Sequence, residues 1–405
     1  MSVTPYKVNV PEDKIGRLKQ KLAAAELPDE LEDAGWDLGC PLADIKRLVR
    51  YWRDEFDWRQ AEAELNQMPQ FMTTVQIDGF DPIELHFVHA KSPVPNAVPL
   101  LFCHGWPGSF DEASKLLPLL MGGGDDKPAF DVVVPSLPNF GFSTGPKKLG
   151  FSLPQMAMVL NKLMVDVLGY QEYVTQGGDL GYPITRYLGY LYPGHCKASH
   201  YNVTTPEPPS ATHFPELYEE DQATPRTQAE LDGLKRTEWF KKEGKGYMME
   251  HTTKPQTIGY SLRDSPVGLL AWVYEKLHDW SDNYPYTDYE VCKWVSIYWF
   301  SKAGPAATMR IYYEFMHDKN PMAATINSTY LKDIKIGSSQ FPKDLAVFPP
   351  LWNRTLGDLV LNKVHPSGGH FAAFERPREL AGDLEEMFGR NGGAYGVVSG
   401  RNGYA

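Results

Sequence analysis

The sequence of 405 residues lacks several features that would define other classes of protein. It has no run of about 18 consecutive apolar residues, so it predicts no membrane-spanning helix. The N-terminus lacks the apolar stretch of a secretory signal peptide, and we therefore expect a cytoplasmic protein. The four cysteines lie far apart, which argues against a disulfide framework. With 40 basic and 51 acidic residues the formal net charge is −11, so nucleic acid is not the expected partner.

Motifs that bind metals or nucleotide cofactors are also missing. The chain contains no His-Glu-x-x-His zinc motif. His86 and His89 lie three residues apart on a predicted strand, so their side chains are expected on opposite faces, where they cannot share a metal ion. No Gly-x-Gly-x-x-Gly follows a strand. We therefore expect neither a metal nor another cofactor.

The pattern of apolar residues predicts an α/β core. The runs VPLLFC (98–103) and FDVVVP (130–135) are short and continuously apolar, which is typical of strands covered on both faces. Helical segments alternate with these and later strands, as in a parallel sheet. Before them, a hairpin is predicted around Asp78-Gly79.

These patterns divide the chain into five segments. Residues 1–95 form a helical and hairpin extension, and residues 96–205 form the first part of the core. Residues 206–334 are helical and rich in aromatic residues. They interrupt the alternation of strands and helices, as a lid inserted into the core would. The core resumes over 335–392 and is followed by a glycine-rich segment, 393–405, expected to be a flexible tail.

The most specific local pattern is Gly177-Gly178-Asp179-Leu180-Gly181, between a predicted strand and a predicted helix. A Gly-x-nucleophile-x-Gly turn needs small flanking residues, because the backbone of the nucleophile is strained and neighbouring chains come close. The central residue is usually serine, but here it is Asp179. This predicts a carboxylate nucleophile and argues against a serine esterase. Taken alone, the pentapeptide fits a plain glycine-rich turn equally well.

A second loop, His104-Gly105-Trp106-Pro107, directly follows the predicted strand 98–103. In hydrolases built on an α/β sheet, this loop and the residue after the nucleophile each supply a backbone N–H to the oxyanion hole. Trp106 and Leu180 hold these positions. Pro107 has no N–H and is expected to fix the turn, with a cis peptide bond as one way of doing so.

A candidate base and its partner follow later in the chain. His370, in Gly368-Gly369-His370, comes after a late predicted strand, and Asp344 precedes it as a carboxylate that can orient the imidazole. The order Asp179, Asp344, His370 is that of nucleophile, acid and base in the α/β-hydrolase fold. His365 is the local competitor of His370 for the role of base.

At this level of detail the sequence resembles the epoxide hydrolases of the microsomal type, in their soluble, fungal-like subgroup. The resemblance covers nearly the whole chain and is carried by HGWPGSF, GGDLGYPITRYLGYLYP, DSPVGLLAWVYEK and GGHFAAFERP. It implies an α/β-hydrolase fold, Asp179 as the nucleophile, and two lid tyrosines that hydrogen-bond the epoxide oxygen. The matching segments place these tyrosines at Tyr247 and Tyr312, with Tyr313 as the alternative to Tyr312.

This set of residues suits the conversion of an epoxide to a vicinal diol through an ester on Asp179. Tyrosine is neutral at pH 7 and can donate a proton to the alkoxide that leaves. The expected reactants are a small apolar or aromatic epoxide and water, and a homodimer is left open. Two alternatives remain: a haloalkane dehalogenase, for which Leu180 offers no side-chain donor to a halide, and a ligand-binding protein without turnover.

Overall fold

In the computed structural model, which describes residues 2–405, one mixed sheet forms the centre of the molecule. Met1, the first residue of the expected extension, lies outside the described residues. The strands found within residues 2–405 are arranged in the order β1-β2-β3-β5-β4-β6-β7-β8-β9. Their bounds are β1 Val3–Pro5, β2 Gln70–Val75, β3 Ile83–Ala90, β4 Val98–Cys103, β5 Phe130–Pro135, β6 Tyr173–Gly177, β7 Cys196–Tyr201, β8 Leu331–Gln340 and β9 Gly357–Val364.

The central strands have the sequence that a sheet covered on both faces requires. Every residue of β4, β5 and β6 is buried, which for β4 and β5 agrees with the apolar runs predicted at 98–103 and 130–135. From β5 across to β9 all neighbours are parallel. Helices α4 Leu117–Met121, α5 Leu153–Lys162 and α6 Gly181–Leu191 connect successive strands, and α15 Ala372–Glu375 and α16 Pro377–Phe388 follow β9. The predicted parallel α/β core is therefore confirmed.

The N-terminal segment contributes helices and the antiparallel edge of the same sheet. Helices α1 Glu12–Ala23, α2 Leu42–Asp54 and α3 Trp58–Leu65 come first, and α1 buries the apolar stripe Ile15, Leu18 and Leu22. The predicted hairpin is confirmed, since β2 and β3 pair antiparallel. Strand β3 then pairs with β5, which ties this segment to the core.

A block of helices stands between β7 and β8 in the chain. Its members are α7 Pro215–Ala223, α8 Gln228–Trp239, α9 Gly246–Thr253, α10 Pro255–Asp264, α11 Pro266–Asp279, α12 Asp288–Trp299, α13 Arg310–Met316 and α14 Pro321–Thr325. We call this block the lid helices. They contact the N-terminal helices as well, for example through Trp52 Nε1, which donates to Ser296 Oγ at 2.9 Å. Within residues 2–405 the structure has no helix with the length and hydropathy needed to cross a membrane.

The C-terminal segment differs from the prediction of a flexible tail. Ala394, Val398 and Tyr404 are buried in the domain. The N–H of Gly403 donates to Asn96 O at 2.7 Å, and its carbonyl accepts from Ala129 N at 2.8 Å. The prediction was wrong because a few well-spaced apolar residues and a close backbone approach at Gly403 hold this segment on the core, despite its low apolar content.

Candidate active site

The structure confirms that Asp179 stands in a strained turn between β6 and α6. Its φ is +48°, a left-handed conformation that non-glycine residues seldom adopt. The residues around it must be small: a Cβ on Gly181 would overlap the carbonyl oxygen of Cys103, and one on Gly105 would overlap the Asp179 side chain. A Cβ on Gly177 would likewise overlap the carbonyl of Gly181, and one on Gly178 would overlap the Asn202 side chain, so the turn is more than a plain glycine-rich connection.

His370 lies between the two predicted carboxylates. Its Nε2 is 3.1 Å from Asp179 Oδ2, and its Nδ1 is 2.6 Å from Asp344 Oδ1. Asp344 is buried and also accepts from the N–H of Leu345 at 2.6 Å. Burial alone would lower the pKa of His370, but the charge of Asp344 and the hydrogen bonds to both carboxylates outweigh it and raise the pKa to about 10. The imidazole is therefore protonated while Asp179 is charged.

The other oxygen of Asp179 faces the loop after β4. The N–H of Trp106 donates to Asp179 Oδ1 at 2.8 Å, and the Trp106–Pro107 peptide bond is cis. Leu180 directly precedes α6 and is buried. Within residues 2–405 the Asp179 carboxylate accepts hydrogen bonds from Trp106 and His370 and none from Leu180. The structure thus brings one of the two predicted oxyanion donors into contact with the carboxylate.

The lid helices bring two tyrosines over the indole of Trp106. Tyr247, on α9, stacks on this ring with centroids 4.9 Å apart, and Tyr312, on α13, meets it edge-on at 6.2 Å. Their own ring centroids are 6.0 Å apart. Burial and the charge of Asp179 raise the pKa of both phenols well above the usual value, so both stay neutral.

Tyr312 and Tyr313 have different surroundings. The hydroxyl of Tyr312 is buried and makes no hydrogen bond with any residue in the described part of the chain. Tyr313 is only half-buried and stacks on His317, with ring centroids 4.0 Å apart. The structure therefore places Tyr312, and not Tyr313, beside Tyr247 and Trp106.

His365, the competing histidine, belongs to a separate polar network. Its Nε2 is 2.6 Å from Asp383 Oδ2, which also accepts from Ser339 Oγ at 2.5 Å. Its ring stacks on Phe341. No contact joins His365 to Asp179 among residues 2–405, so the geometry favours His370 as the partner of Asp179.

The chain also contains one Gly-x-Ser-x-Gly pentapeptide, at 141–145, and its serine is not placed as a nucleophile. It lies within the long loop from β5 to α5 and not in a sharp turn that joins a strand directly to a helix, and Ser143 is fully buried. The Ser143 hydroxyl donates to Ser136 O at 2.7 Å and accepts from His86 N at 2.9 Å. Ser143 therefore stabilises a loop, and the site contains a carboxylate where serine hydrolases have a hydroxyl.

Sequence reasoning missed two polar residues at this site. Glu112 and Gln176 line a small cavity next to Asp179 and His370, and both are buried. Neither residue stands in a recognisable motif, although Gln176 directly precedes the glycine pair of the turn. Residues 2–405 contain no group of three or more His, Cys, Asp or Glu side chains arranged to hold a metal ion.

Comparisons with known proteins agree with this geometry. The family described as "Epoxide hydrolase N terminus" matches residues 3–113, and the "alpha/beta hydrolase fold" family matches residues 98–288. "Epoxide hydrolase 1" of Sus scrofa is 33% identical over 96% of this chain and 89% of its own length. The solved Aspergillus niger epoxide hydrolase superimposes with a TM-score of 0.80 at 36% identity, covering 95% of both chains. Juvenile hormone epoxide hydrolase from Bombyx mori gives a TM-score of 0.85 at 28% identity, covering 95% of this chain and 93% of its own.

Proposed function

The chain belongs to the epoxide hydrolases of the microsomal type, and we propose that it opens its substrate through a covalent ester on Asp179. The predicted α/β-hydrolase fold and the predicted epoxide hydrolase activity are confirmed by these relatives. The chemical steps are the proposal. The observation that carries them is the position of His370, in contact with Asp179 on one side and with buried Asp344 on the other.

In the first step, a carboxylate oxygen of Asp179 attacks a ring carbon of the epoxide, and the bond from that carbon to the ring oxygen breaks. The alkoxide that leaves is strongly basic and takes a proton from a tyrosine. Tyr247 and Tyr312 suit this role because they are neutral and buried, and because the charge of Asp179 acts on both phenols. The Tyr312 hydroxyl has no hydrogen bond to give up before it binds the epoxide oxygen.

In the second step, water attacks the carbonyl carbon of the ester. His370 accepts one proton of this water, and the N–H of Trp106 stabilises the negative charge that develops on the carbonyl oxygen. We propose Leu180 N–H as a second donor to that oxygen once the ester has formed. The carbon–oxygen bond to the diol then breaks, and the leaving diol oxygen takes the remaining proton of the water. This restores the charged Asp179 carboxylate beside a protonated His370.

The charge of Asp179 and the pKa of His370 determine the order of the two steps. While Asp179 is charged, its carboxylate helps Asp344 keep the pKa of His370 at about 10, and a protonated imidazole cannot act as a base. Ester formation removes both the charge of Asp179 and its hydrogen bond to Nε2. The pKa of His370 must then fall, because two of the influences that raise it are gone. His370 then gives its proton, through solvent, to the tyrosine that was deprotonated in the first step, and it becomes a base only after the epoxide has reacted.

The walls above Asp179 indicate the substrate class. Trp106, Tyr247 and Tyr312 present aromatic surface there, and Trp280 packs edge-on against His370 at 5.1 Å. Such walls favour a small apolar or aromatic epoxide. A haloalkane dehalogenase needs a donor for a halide directly at the nucleophile, where Leu180 has no polar side chain. A cytoplasmic location and a homodimer remain predictions.

The variant His370→Gln tests this function. Without a base the ester should form and persist, so intact-mass spectrometry after addition of styrene oxide should show the protein heavier by one molecule of the epoxide. Peptide mapping should place the adduct on Asp179. The matched control is His365→Gln, which removes the other histidine of this region and should turn over without an adduct. Normal diol formation by His370→Gln would contradict the proposal.

A further inference from the structure

A small cavity lies against the catalytic residues. It has a volume of about 20 Å³, and its wall includes Asp179 and His370 together with Glu112, Gln176 and Asn202. A cavity of roughly 10–15 Å³ measured in this way is enough for one water molecule. The cavity is therefore water-sized, and it borders both the group that carries the ester and the group that acts as its base.

The polar wall of this cavity contains two side-chain oxygens that the protein itself does not satisfy. Oε1 of Glu112 and Oε1 of Gln176 are buried and make no hydrogen bond within residues 2–405. The amide nitrogen of Gln176 donates to Asn202 Oδ1 at 2.7 Å, which fixes the orientation of its amide. A buried polar atom without a partner costs about 1–3 kcal/mol, so such atoms normally face a water molecule or a ligand.

The position of Glu112 depends on the neighbouring loop. Glu112 lies in the short turn Phe110–Lys115, and its side chain packs so closely on Gly108 that a Cβ there would overlap Oε1. The backbone of Gly108 is held in turn by the hydroxyl of Tyr298, which donates to its carbonyl at 2.7 Å. The carboxyl group is therefore fixed in place, although it has no ion-pair partner among the described residues.

We propose that Glu112 is a catalytic residue that holds the hydrolytic water in this cavity, beside His370, with Gln176 as the second acceptor. This inference rests on the covalent route proposed above. A water molecule has two hydrogens, and the cavity wall offers two oxygens without other partners. When His370 becomes a base, one hydrogen of the water turns to Nε2 while the other stays on Glu112. A lone pair of the water then faces the ester carbonyl of Asp179.

The protonation state of Glu112 fits this role. Burial is the main reason that the pKa of Glu112 is raised to about 8. The positive charge of His370 lowers this pKa, and the negative charge of Asp179 raises it further. At neutral pH the side chain is thus largely an uncharged carboxylic acid. An uncharged acid can bind water without taking its proton. The proton of the water is therefore left for His370.

A matched pair of variants tests the proposal. Glu112→Gln keeps the size, the neutral charge and the acceptor oxygen, whereas Glu112→Met keeps the approximate size and removes the acceptor. Each is mixed with styrene oxide under single-turnover conditions, and quenched samples are analysed by intact-mass spectrometry. This separates the rate of ester formation from the rate of ester hydrolysis. We expect ester formation to stay close to that of the wild type in both variants.

The rate of ester hydrolysis should distinguish the two variants. Misplacing a reacting group costs up to about 100-fold, so hydrolysis by Glu112→Met should fall about 10- to 100-fold, while Glu112→Gln should stay within a few-fold of the wild type. If the Met variant does not fold, Glu112→Asp, which withdraws the carboxyl group by one methylene, should show the same selective loss.

Unchanged hydrolysis in the variants that lose or withdraw the acceptor would overturn the proposal. Equal losses in both steps would also overturn it, because they would indicate a general structural defect. If the wild type itself formed no ester, the covalent route would fail and the proposal with it, so the two failures are distinguishable.

Discussion

Replacing Tyr312 with phenylalanine removes a single hydroxyl whose surroundings are well defined. This hydroxyl is buried and has no hydrogen-bond partner among residues 2–405, and the Tyr312 ring lies edge-on to Trp106 above the nucleophile. Its loss leaves no protein group unsatisfied, so the free energy of unfolding should change by less than about 1 kcal/mol. Any large effect on activity then reports on the reaction and not on the fold.

The expected kinetic effect follows from the role of the hydroxyl as a donor to a developing negative charge. Removing one such donor in a water-excluded site typically slows the step by about 10² to 10³, or roughly 2.7–4 kcal/mol. Tyr312→Phe should therefore slow ester formation by about this factor and leave ester hydrolysis nearly unchanged. Tyr247→Phe should behave in the same way, because both phenols are buried against Trp106 and the charge of Asp179 acts on both.

The neighbouring tyrosine provides the control. Tyr313 is adjacent in sequence, is half-buried and stacks on His317 outside the site. Tyr313→Phe should form the ester at close to the wild-type rate. Stopped-flow tryptophan fluorescence can follow ester formation in both variants, since Trp106 lies against the reacting groups. A normal rate in Tyr312→Phe, or the loss in Tyr313→Phe instead, would refute the assignment.

Three further predictions concern the fold and its charges. Gly181→Ala should prevent the turn from forming correctly and abolish activity, because the added Cβ would overlap the carbonyl of Cys103. The control Gly16→Ala should be tolerated in the same assays, because the space around Gly16 is open. The folded pKa of His370, about 10, exceeds the unfolded value near 6.5, so its stabilising effect is complete below about pH 6.5 and is lost as pH rises toward 10. Urea titrations should thus show the free energy of unfolding decreasing over this interval, and decreasing less in Asp344→Asn; equal slopes would contradict this. Deleting residues 393–405 should lower the free energy of unfolding by roughly 3 kcal/mol or more, because the buried side chains of Val398 and Tyr404 are lost. An unchanged melting temperature would contradict the packing of this segment on the core.

Much of the fold could be predicted because the central strands are buried on both faces and therefore read as continuous apolar runs. Strand β8 was harder to delimit: it begins at Leu331, and the following Lys332 and Asp333 are exposed and give no strand signal. The prediction placed the resumption of the core at residue 335, four residues inside the strand. The packing of the C-terminal segment could not be predicted, since it depends on where Asn96 and Ala129 lie in space.

The site could be predicted in part for similar reasons. Asp179, Asp344 and His370 occur in a fixed order and each follows a strand, so the topology brings them together. The choice between Tyr312 and Tyr313 was not decidable, because adjacent residues on a helix differ by about 100° in direction and the sequence does not show which side faces the nucleophile. Glu112 was missed because its burial depends on the close approach of Gly108, a tertiary contact without a local pattern.

The most direct test of the covalent route is a single turnover in water labelled with ¹⁸O, with enzyme in excess over styrene oxide. The diol should be released without label, and one ¹⁸O atom should enter the side chain of Asp179. Water attacks the ester carbonyl, so one diol oxygen comes from the epoxide and the other from the enzyme. Peptide mass mapping locates the label. A labelled diol together with unlabelled Asp179 would contradict the central claim.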